Sequence, residues 1–379
     1  MGSVAAAQVH KTATAEVFLS GAEQRAAQRF HVDACWPTAH PVYQARSGAG
    51  TDPVLLVETL RQTAIYLSHR YFDVPQQNPF IFGDVTLDIV GRRTARRAPQ
   101  SPHARLEATC ALTRPPRPGK LAMRLEAVIR QGERVCARGT VSWLAVSPQV
   151  YRALRSRGAT PPPAPTTTAS PAPGAGSQPP TPAMTGATTT LATTPATTAA
   201  LPAAQLSALV APGLWPAPSP ESLPAGGADL APAAVGRSRA ADVLLTRPAA
   251  GPAGRWLLRV DQQHPVFFDH PSDHVPGMVL LEALRQAGHA TLAPVAAGPD
   301  RPIALTGCQI AFRAFCELTS PVVIEAAHTG AAVIGRDGVQ ALELAVCARQ
   351  QDRTVADGML RWAVGAAGRT LPALPEVAR

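Results

Sequence analysis

Asp52–Ala64 reads DPVLLVETLRQTA, and Pro276–Gly288 reads PGMVLLEALRQAG. In the first stretch and its continuation, Val54, Leu55, Val57, Leu60, Ala64, Ile65 and Leu67 place apolar side chains on nearly every face of a helix. Met278, Val279, Leu280, Leu281, Ala283, Leu284 and Ala287 do the same in the second. A helix that is apolar nearly all round is enclosed by other elements rather than laid on a surface. Asp52-Pro53 offers a capping carboxylate followed by a first-turn proline, and Pro276 opens the second helix. Two enclosed helices, each interrupted by Glu-x-x-Arg-Gln, therefore anchor the reading of the chain.

Outward from these helices the order of features repeats. His40 and His264, Glu58 and Glu282, Arg61 and Arg285, Gln62 and Gln286, and Gly83 and Gly307 are all 224 positions apart (282 − 58 = 224). Upstream, AEVFL from Ala15 matches ADVLL from Ala241, and Arg29 matches Arg255. Downstream, GTVSW from Gly139 matches GMLRW from Gly358. Self-similarity on this scale marks an internally duplicated chain. In each copy short β-like runs precede the helix, and apolar or alternating segments follow it: PFIFGDVTLDIV, ARLEATCAL and LAMRLEAVI in the first, PIALTGCQIAF, PVVIEAAH and QALELAVCARQ in the second. One long helix with several antiparallel strands is an α+β unit. The expected architecture is that unit in tandem, each half a sheet wrapped around its central helix, with the two halves paired as a pseudo-dimer.

The expected domains are residues 1–155 and 236–379. Between them, residues 156–235 form a linker rich in Pro, Ala and Thr. From Gly158 to Ala228 the one charged residue is Glu221. Such a segment buries too little apolar surface to offset the entropy of ordering, so disorder is expected there.

Charge is distributed unevenly. Of the net +9, residues 1–155 carry 20 − 11 = +9, residues 156–235 carry 1 − 2 = −1, and residues 236–379 carry 14 − 13 = +1. Arg92, Arg93, Arg96 and Arg97 cluster in the first half and would attract an acidic partner, or stand solvated in a loop. No aromatic residues interleave with them, which argues against nucleic acid. The six cysteines form no CxxC and no zinc-finger spacing, and read as free thiols of a reducing compartment. No signal-peptide core and no long uncharged apolar run outside the linker is present. A cytoplasmic protein with no metal, no cofactor and no membrane span is expected.

The polar residues inside the two apolar helices carry the functional expectation. Glu, Arg and Gln at i, i+3 and i+4 share one face, and a charge there must be paired or neutralised. One reading makes Glu58–Arg61 and Glu282–Arg285 structural ion pairs. The other has at least one set lining a pocket, with a desolvated, raised-pKa Glu282 or Glu58 as general base and an arginine holding phosphate or orienting the acid. His264, His270 and His274 crowd the loop before the second helix, and Gly277 leaves backbone N–H groups at its N-terminus that suit a carbonyl oxygen or thioester oxyanion. The first-half loop keeps His40 without counterparts of His270 and His274, so the two sites are expected to have diverged. Nucleophile-elbow, P-loop and Rossmann patterns are all missing. Cys35 and Cys308 lack a sequence-local partner for covalent catalysis.

DHPSDHVPGMVLLEALRQAG resembles the hotdog β-hydroxyacyl-carrier-protein dehydratases at Pro276, Gly277 and Glu282. The whole chain outside the linker resembles more specifically the A-factor biosynthesis hotdog family, in VHK near the start, WPTAHPVY, DPVLLVETLRQ and HPVFFDHPSDHVPGMVLLEALRQ. That resemblance implies a tandem hotdog fold and a role in making γ-butyrolactone or furan-type signalling molecules. It implies transfer of a β-ketoacyl group from acyl carrier protein to the hydroxyl of dihydroxyacetone phosphate. Glu282, Arg285 and Glu58 would then act in catalysis, and Arg61, Gln62, His264, His270, His274, Gly277 and Gln286 would bind substrate. The alternatives on the same fold are a dehydratase or thioesterase and a non-catalytic acyl-binding protein.

Overall fold

The computed structural model describes residues 4–43, 51–90, 101–158, 227–248, 253–294, 303–334 and 340–364. Two short 3-10 turns, Ala6–Val9 and Thr14–Glu16, precede strands β1 (Leu19–Ala26) and β2 (Arg29–Cys35). Helix α1 (Pro53–Tyr71) follows, then β3 (Phe80–Ile89), β4 (His103–Leu112), β5 (Lys120–Gln131), β6 (Arg134–Val146) and a short helix α2 (Pro148–Gly158). The second half runs β7 (Gly227–Asp229), 3-10 turns at Pro232–Val235 and Ala240–Asp242, β8 (Leu245–Pro248) and β9 (Arg255–Leu258). It ends with helix α3 (Gly277–Leu292) and strands β10 (Ile303–Phe312), β11 (Val322–Ile334), β12 (Gln340–Gln350) and β13 (Arg353–Val364).

Among the described residues, β1–β13 form one sheet in the order β1-β2-β4-β5-β6-β3-β10-β13-β12-β11-β9-β8-β7. Apart from β7 the order is a palindrome about the β3–β10 seam. There β3 runs antiparallel to β10, with Asp88 opposite Gly307 and Asp84 opposite Ala311. Arg361 of β13 also reaches across the seam to Asp88 at 3.0 Å. Gly83 and Gly307, matched in the repeat, both sit at register shifts beside that seam, against β6 and β13 respectively.

The helices are enclosed as their composition requires. In α1 the residues from Val54 to Leu60 are all buried, as are Gln62, Thr63, Ala64, Ile65, Leu67 and Ser68. In α3 the run from Val279 to His289 is buried throughout. Asp52 caps α1 by accepting a hydrogen bond from Val54 N at 2.8 Å. The strands alternate where one face meets a helix and the other meets solvent, most plainly in β4, where alternate residues from Ala104 to Cys110 are buried. Helix and sheet approach closely where glycine permits it. A Cβ at Gly139 would overlap a methyl of Leu60, and one at Gly288 would lie 3.0 Å from the Trp362 ring.

Two boundaries differ from the sequence reading. Residues 148–158, the end of the first domain, fold as α2 and clasp the second half. Arg155 pairs with Glu317 at 2.7 Å and Asp273 at 3.1 Å and lies over the Phe315 ring, and the Tyr151 hydroxyl donates to Asp273 at 2.8 Å. At the other end, β7 and the turn Pro232–Val235 fall inside the range assigned to the linker, and Val235 is fully buried. The Pro/Ala/Thr-rich stretch 159–226 and the arginine cluster 92–97 lie outside the described residues. No helix among the described residues is long and apolar enough to cross a membrane.

Candidate active site

The two Glu-x-x-Arg-Gln faces each build a buried ionic centre of the same design. In α1 the Glu58 carboxylate accepts from Arg61 Nε at 2.7 Å, Arg61 Nη2 at 2.8 Å and Gln62 Nε2 at 2.9 Å. Lys11 Nζ lies 3.3 Å from Glu58 Oε1. In α3 the Glu282 carboxylate accepts from Arg285 Nε and Nη2, both at 2.8 Å, from Gln286 Nε2 at 2.7 Å, and from Arg237 Nε at 2.8 Å and Nη2. Lys11 and Arg237 therefore complete the two centres from matching positions. VHK and VGR stand 226 residues apart, the same offset as AEVFL and ADVLL. The matched β-runs carry that signal, and neither cation was singled out from the sequence.

Both carboxyls are fully buried, yet neither pKa is raised. Burial alone would push them up. Arg61, Lys11 and Gln62 pull Glu58 down to about 2. Arg237 and Arg285 do the same for Glu282, also to about 2. The general base expected of Glu282 is thus corrected by its surroundings. A carboxylate holding five charge-assisted or amide hydrogen bonds has neither a free lone pair nor a proton affinity suited to neutral pH.

The two glutamines belong to the scaffold. Gln62 donates to Glu16 O at 2.7 Å and accepts from Phe18 N at 2.9 Å; Gln286 donates to Asp242 O at 2.7 Å and accepts from Leu244 N at 2.9 Å. Each locks its helix to the segment entering the next strand. His264 is also structural. Its Nδ1 accepts from Val266 N and Phe267 N, both at 3.2 Å, and its Nε2 faces Asp242 Oδ1 at 3.3 Å. His40 repeats the pattern with Val42 N, Tyr43 N and Glu16. These histidines tie down the loops before the helices, so a substrate-binding role for His264 does not fit. His274 sits in the α2 clasp, with Nδ1 2.7 Å from Asp273 Oδ1.

His270 has a different setting. It belongs to the second-half loop but lies against the first-half centre. Asp269 accepts from Thr12 N at 2.6 Å and from Ala13 N at 3.0 Å, which docks that loop beside Lys11. The His270 side chain remains half exposed. Partial burial, Arg61 and Lys11 lower its pKa, opposed by Asp269. His10 stands nearby, its Nε2 3.0 Å from His69 Nε2, with both rings against Phe80. His69 Nδ1 donates to Val74 O at 2.8 Å, which leaves its Nε2 to accept from His10. Burial, His69 and Arg61 bring His10 down to about 4, so that ring is neutral at neutral pH.

Gly277 opens α3 with its backbone partly accessible. A Cβ there would lie 3.3 Å from the Phe312 ring. Cys308 is buried, and burial pushes its thiol up to about 12, which removes it as a nucleophile. A cavity of about 590 Å³ opens between Pro75, Asn78, Arg117, Lys120 and Pro148, and neither Glu58 nor Glu282 lines it.

An enclosed helix on an antiparallel sheet, present twice and carrying one buried Glu-Arg-Gln centre each time, defines an α+β protein of duplicated design. The model of the A-factor biosynthesis hotdog domain matches residues 1–147 and again 221–365, and the chain belongs to that family. It is 32% identical over 352 residues to the 2-oxo-3-(phosphooxy)propyl 3-oxoalkanoate synthase of Streptomyces virginiae, covering 92% of this chain and 93% of that one. The enzyme of the same description from Streptomyces coelicolor is 30% identical, over 84% of this chain and 80% of its own. Among solved structures, the chain is similar to the 12:0-ACP thioesterase of Umbellularia californica, with a TM-score of 0.42, 8% identity and coverage of 89% and 94%. It is likewise similar to the tesB protein of Mycobacterium avium, with a TM-score of 0.41, 12% identity and coverage of 91% and 96%.

Proposed function

We propose that the protein is an acyltransferase that moves a β-ketoacyl group from acyl carrier protein to the hydroxyl of dihydroxyacetone phosphate, in the biosynthesis of a γ-butyrolactone or furan-type signal. The supporting observation is its likeness, over nearly its whole length, to synthases whose description states a phosphooxypropyl 3-oxoalkanoate product. On this reading the chain is a tandem hotdog whose halves act as a pseudo-dimer, in keeping with the palindromic strand order and the family match in each half. Within the expected linker 156–235, residues 159–226 join the halves.

In the reaction, the acceptor hydroxyl oxygen attacks the thioester carbonyl carbon. The carbon–sulfur bond breaks, and the carrier leaves as its thiol. His270, half exposed and held largely neutral by its surroundings, takes the hydroxyl proton and returns it to the departing sulfur. The N-terminal amides of α3 at Gly277 hold the carbonyl oxygen as charge develops on it. Glu58 and Glu282 fix the cations around them, and Arg285 holds Glu282 without touching substrate. No covalent intermediate is required, which suits a chain whose buried thiol at Cys308 stays protonated.

The test mixes full-length protein with β-ketoacyl carrier protein, with and without dihydroxyacetone phosphate, and follows products by mass spectrometry. A phosphorylated β-ketoacyl ester that needs both substrates supports the reading. His270→Asn should lower its rate by about a hundredfold or more while leaving the unfolding temperature unchanged. Free acid or enoyl product formed regardless of the phosphate would point to a thioesterase or dehydratase instead.

A further inference from the structure

We propose that the two matched centres have separate tasks: Lys11 and Arg61 at the Glu58 centre bind the phosphate of the acceptor, and the Glu282 centre is a lock that takes no substrate. The inference rests on the reading that the acceptor is a phosphate ester. It goes beyond that reading by naming the ligands and by excluding the second copy.

The argument begins with donors. Arg237 spends its guanidinium on Glu282, on Val42 O at 2.6 Å and on Asp52 Oδ2 at 3.1 Å, the last two belonging to the other half. Arg285 donates to Glu282 and to Val235 O, and its Nη1 would be 3.2 Å from a Cβ at Gly236, beside the His289 ring. That centre is packed shut. At the first centre the cation in Arg237's place is Lys11, whose side chain is 6% exposed. Among the described residues its ammonium has Glu58 as its one ionic partner, at 3.3 Å, so two of its three N–H groups are uncommitted. Arg61 gives Nε and Nη2 to Glu58 and a long Nη2 contact to Val9 O, and among the described residues Nη1 has no partner. A buried ammonium and a guanidinium edge with uncommitted N–H groups, close together, are an incomplete coordination shell. An anion with several oxygens completes it.

Glu58 and the nearby Asp269 together offset Lys11 and Arg61, Asp269 being held by Thr12 N and Ala13 N, so the unused N–H groups rather than surplus charge would draw a phosphate. A phosphate placed here would sit beside His270, where the acceptor hydroxyl must lie for its proton to be taken. Second-half residues 269–270 thus close a first-half phosphate site, and the site exists only when the halves are docked.

The experiment titrates inorganic phosphate into the full-length chain by calorimetry, so that binding is read without turnover. Lys11→Met and Arg61→Lys should each weaken phosphate binding by about tenfold or more, since each removes a charge-assisted donor. Arg285→Lys, at the second centre, should leave it unchanged. If Lys11→Met does not fold, Lys11→Gln, which keeps a polar head, serves in its place with the same expectation. Phosphate affinity insensitive to Lys11, equal losses at Arg285, or no saturable binding by the unaltered chain would overturn the proposal. The outcomes separate the two readings. Weakened phosphate binding in a protein that makes no ester leaves this site standing without acyl transfer. Ester formation with phosphate affinity indifferent to Lys11 removes this site alone.

Discussion

The Glu58 and Glu282 centres share a plan and differ in one side chain that decides the rest. Both place a carboxylate on an enclosed helix and hold it with the Arg and Gln one turn later. Both call a further cation from the segment just before a matched strand, β1 for Lys11 and β8 for Arg237. Where that cation is Arg237, its planar fork satisfies two carboxylates and a carbonyl and welds the halves together. Where it is Lys11, a point charge on a flexible stem meets one carboxylate and keeps donors in reserve. A second exchange follows the first. Position 236 is glycine with φ 70°, and His289 fills the space over it; position 10 is histidine in the same left-handed region, φ 52°, and turns to His69. The counterpart of His289 in α1 is Ile65 (289 − 65 = 224). Duplication therefore gave two copies of one ionic scaffold, of which one is closed and the other is open to a ligand.

The largest effect should come from cutting the weld. Arg237→Met leaves Glu282 and Asp52 buried without their shared partner, and removing one member of a buried ion network costs about 3–5 kcal/mol. Lys11→Met leaves Glu58 with Arg61 and Gln62 and should cost about half as much or less. Urea unfolding of both variants measures the gap. Equal losses would break the comparison.

Acid should act on both centres in the same sense and to different degrees. Each glutamate is held at about 2 against an ordinary 4.5. A depressed carboxylate pKa contributes stability that is complete above the unfolded value and is lost as pH falls through the folded one. The loss therefore runs from about pH 4.5 down toward 2. Arg237 is the leading charge that depresses Glu282, whereas Lys11 stands behind Arg61 in depressing Glu58. In unfolding titrated against pH, Glu282→Gln should flatten this acid limb. Lys11→Met should shift it upward by less than Arg237→Met. An acid limb unchanged in Glu282→Gln would show that Glu282 is not held as an ion.

The asymmetry of the centres explains what the sequence could and could not show. The buried helices, the duplicated order and the Glu-Arg-Gln faces were legible because a 3.6-residue period and a fixed offset are properties of the chain itself. The sign of the glutamate pKa shift was not. It rests on Arg61 and then Lys11 at Glu58, and on Arg237 and then Arg285 at Glu282, and folding alone brings Lys11 and Arg237 to these acids from more than forty positions upstream. His264 illustrates the reverse error. Its place in a polar loop suggested a ligand, but the loop turns back so that Val266 N and Phe267 N donate to its own ring. Asp269 carries no pattern of its own in the sequence. Its role appears only across the halves, on the amides of Thr12 and Ala13. Charge-bearing residues that act between duplicated halves have no local periodicity to betray them.

The smallest change sharpens the comparison most. Lys11→Arg turns the first centre chemically into the second while keeping its charge. The longer, forked head can pair in parallel with Glu58, as Arg237 does with Glu282. Stability should then stay level or rise by at most about 1 kcal/mol, because the new bonds form where the charges were already balanced. Ester formation should fall through a higher KM for the phosphorylated acceptor, with kcat for the acyl step changed far less, since donors once left for phosphate are turned inward. A Lys11→Arg protein that gains no stability and keeps its KM would mean that the lysine is an interchangeable charge. The openness of the first centre would then have to come from the loop bearing Asp269 and His270 rather than from the choice of cation.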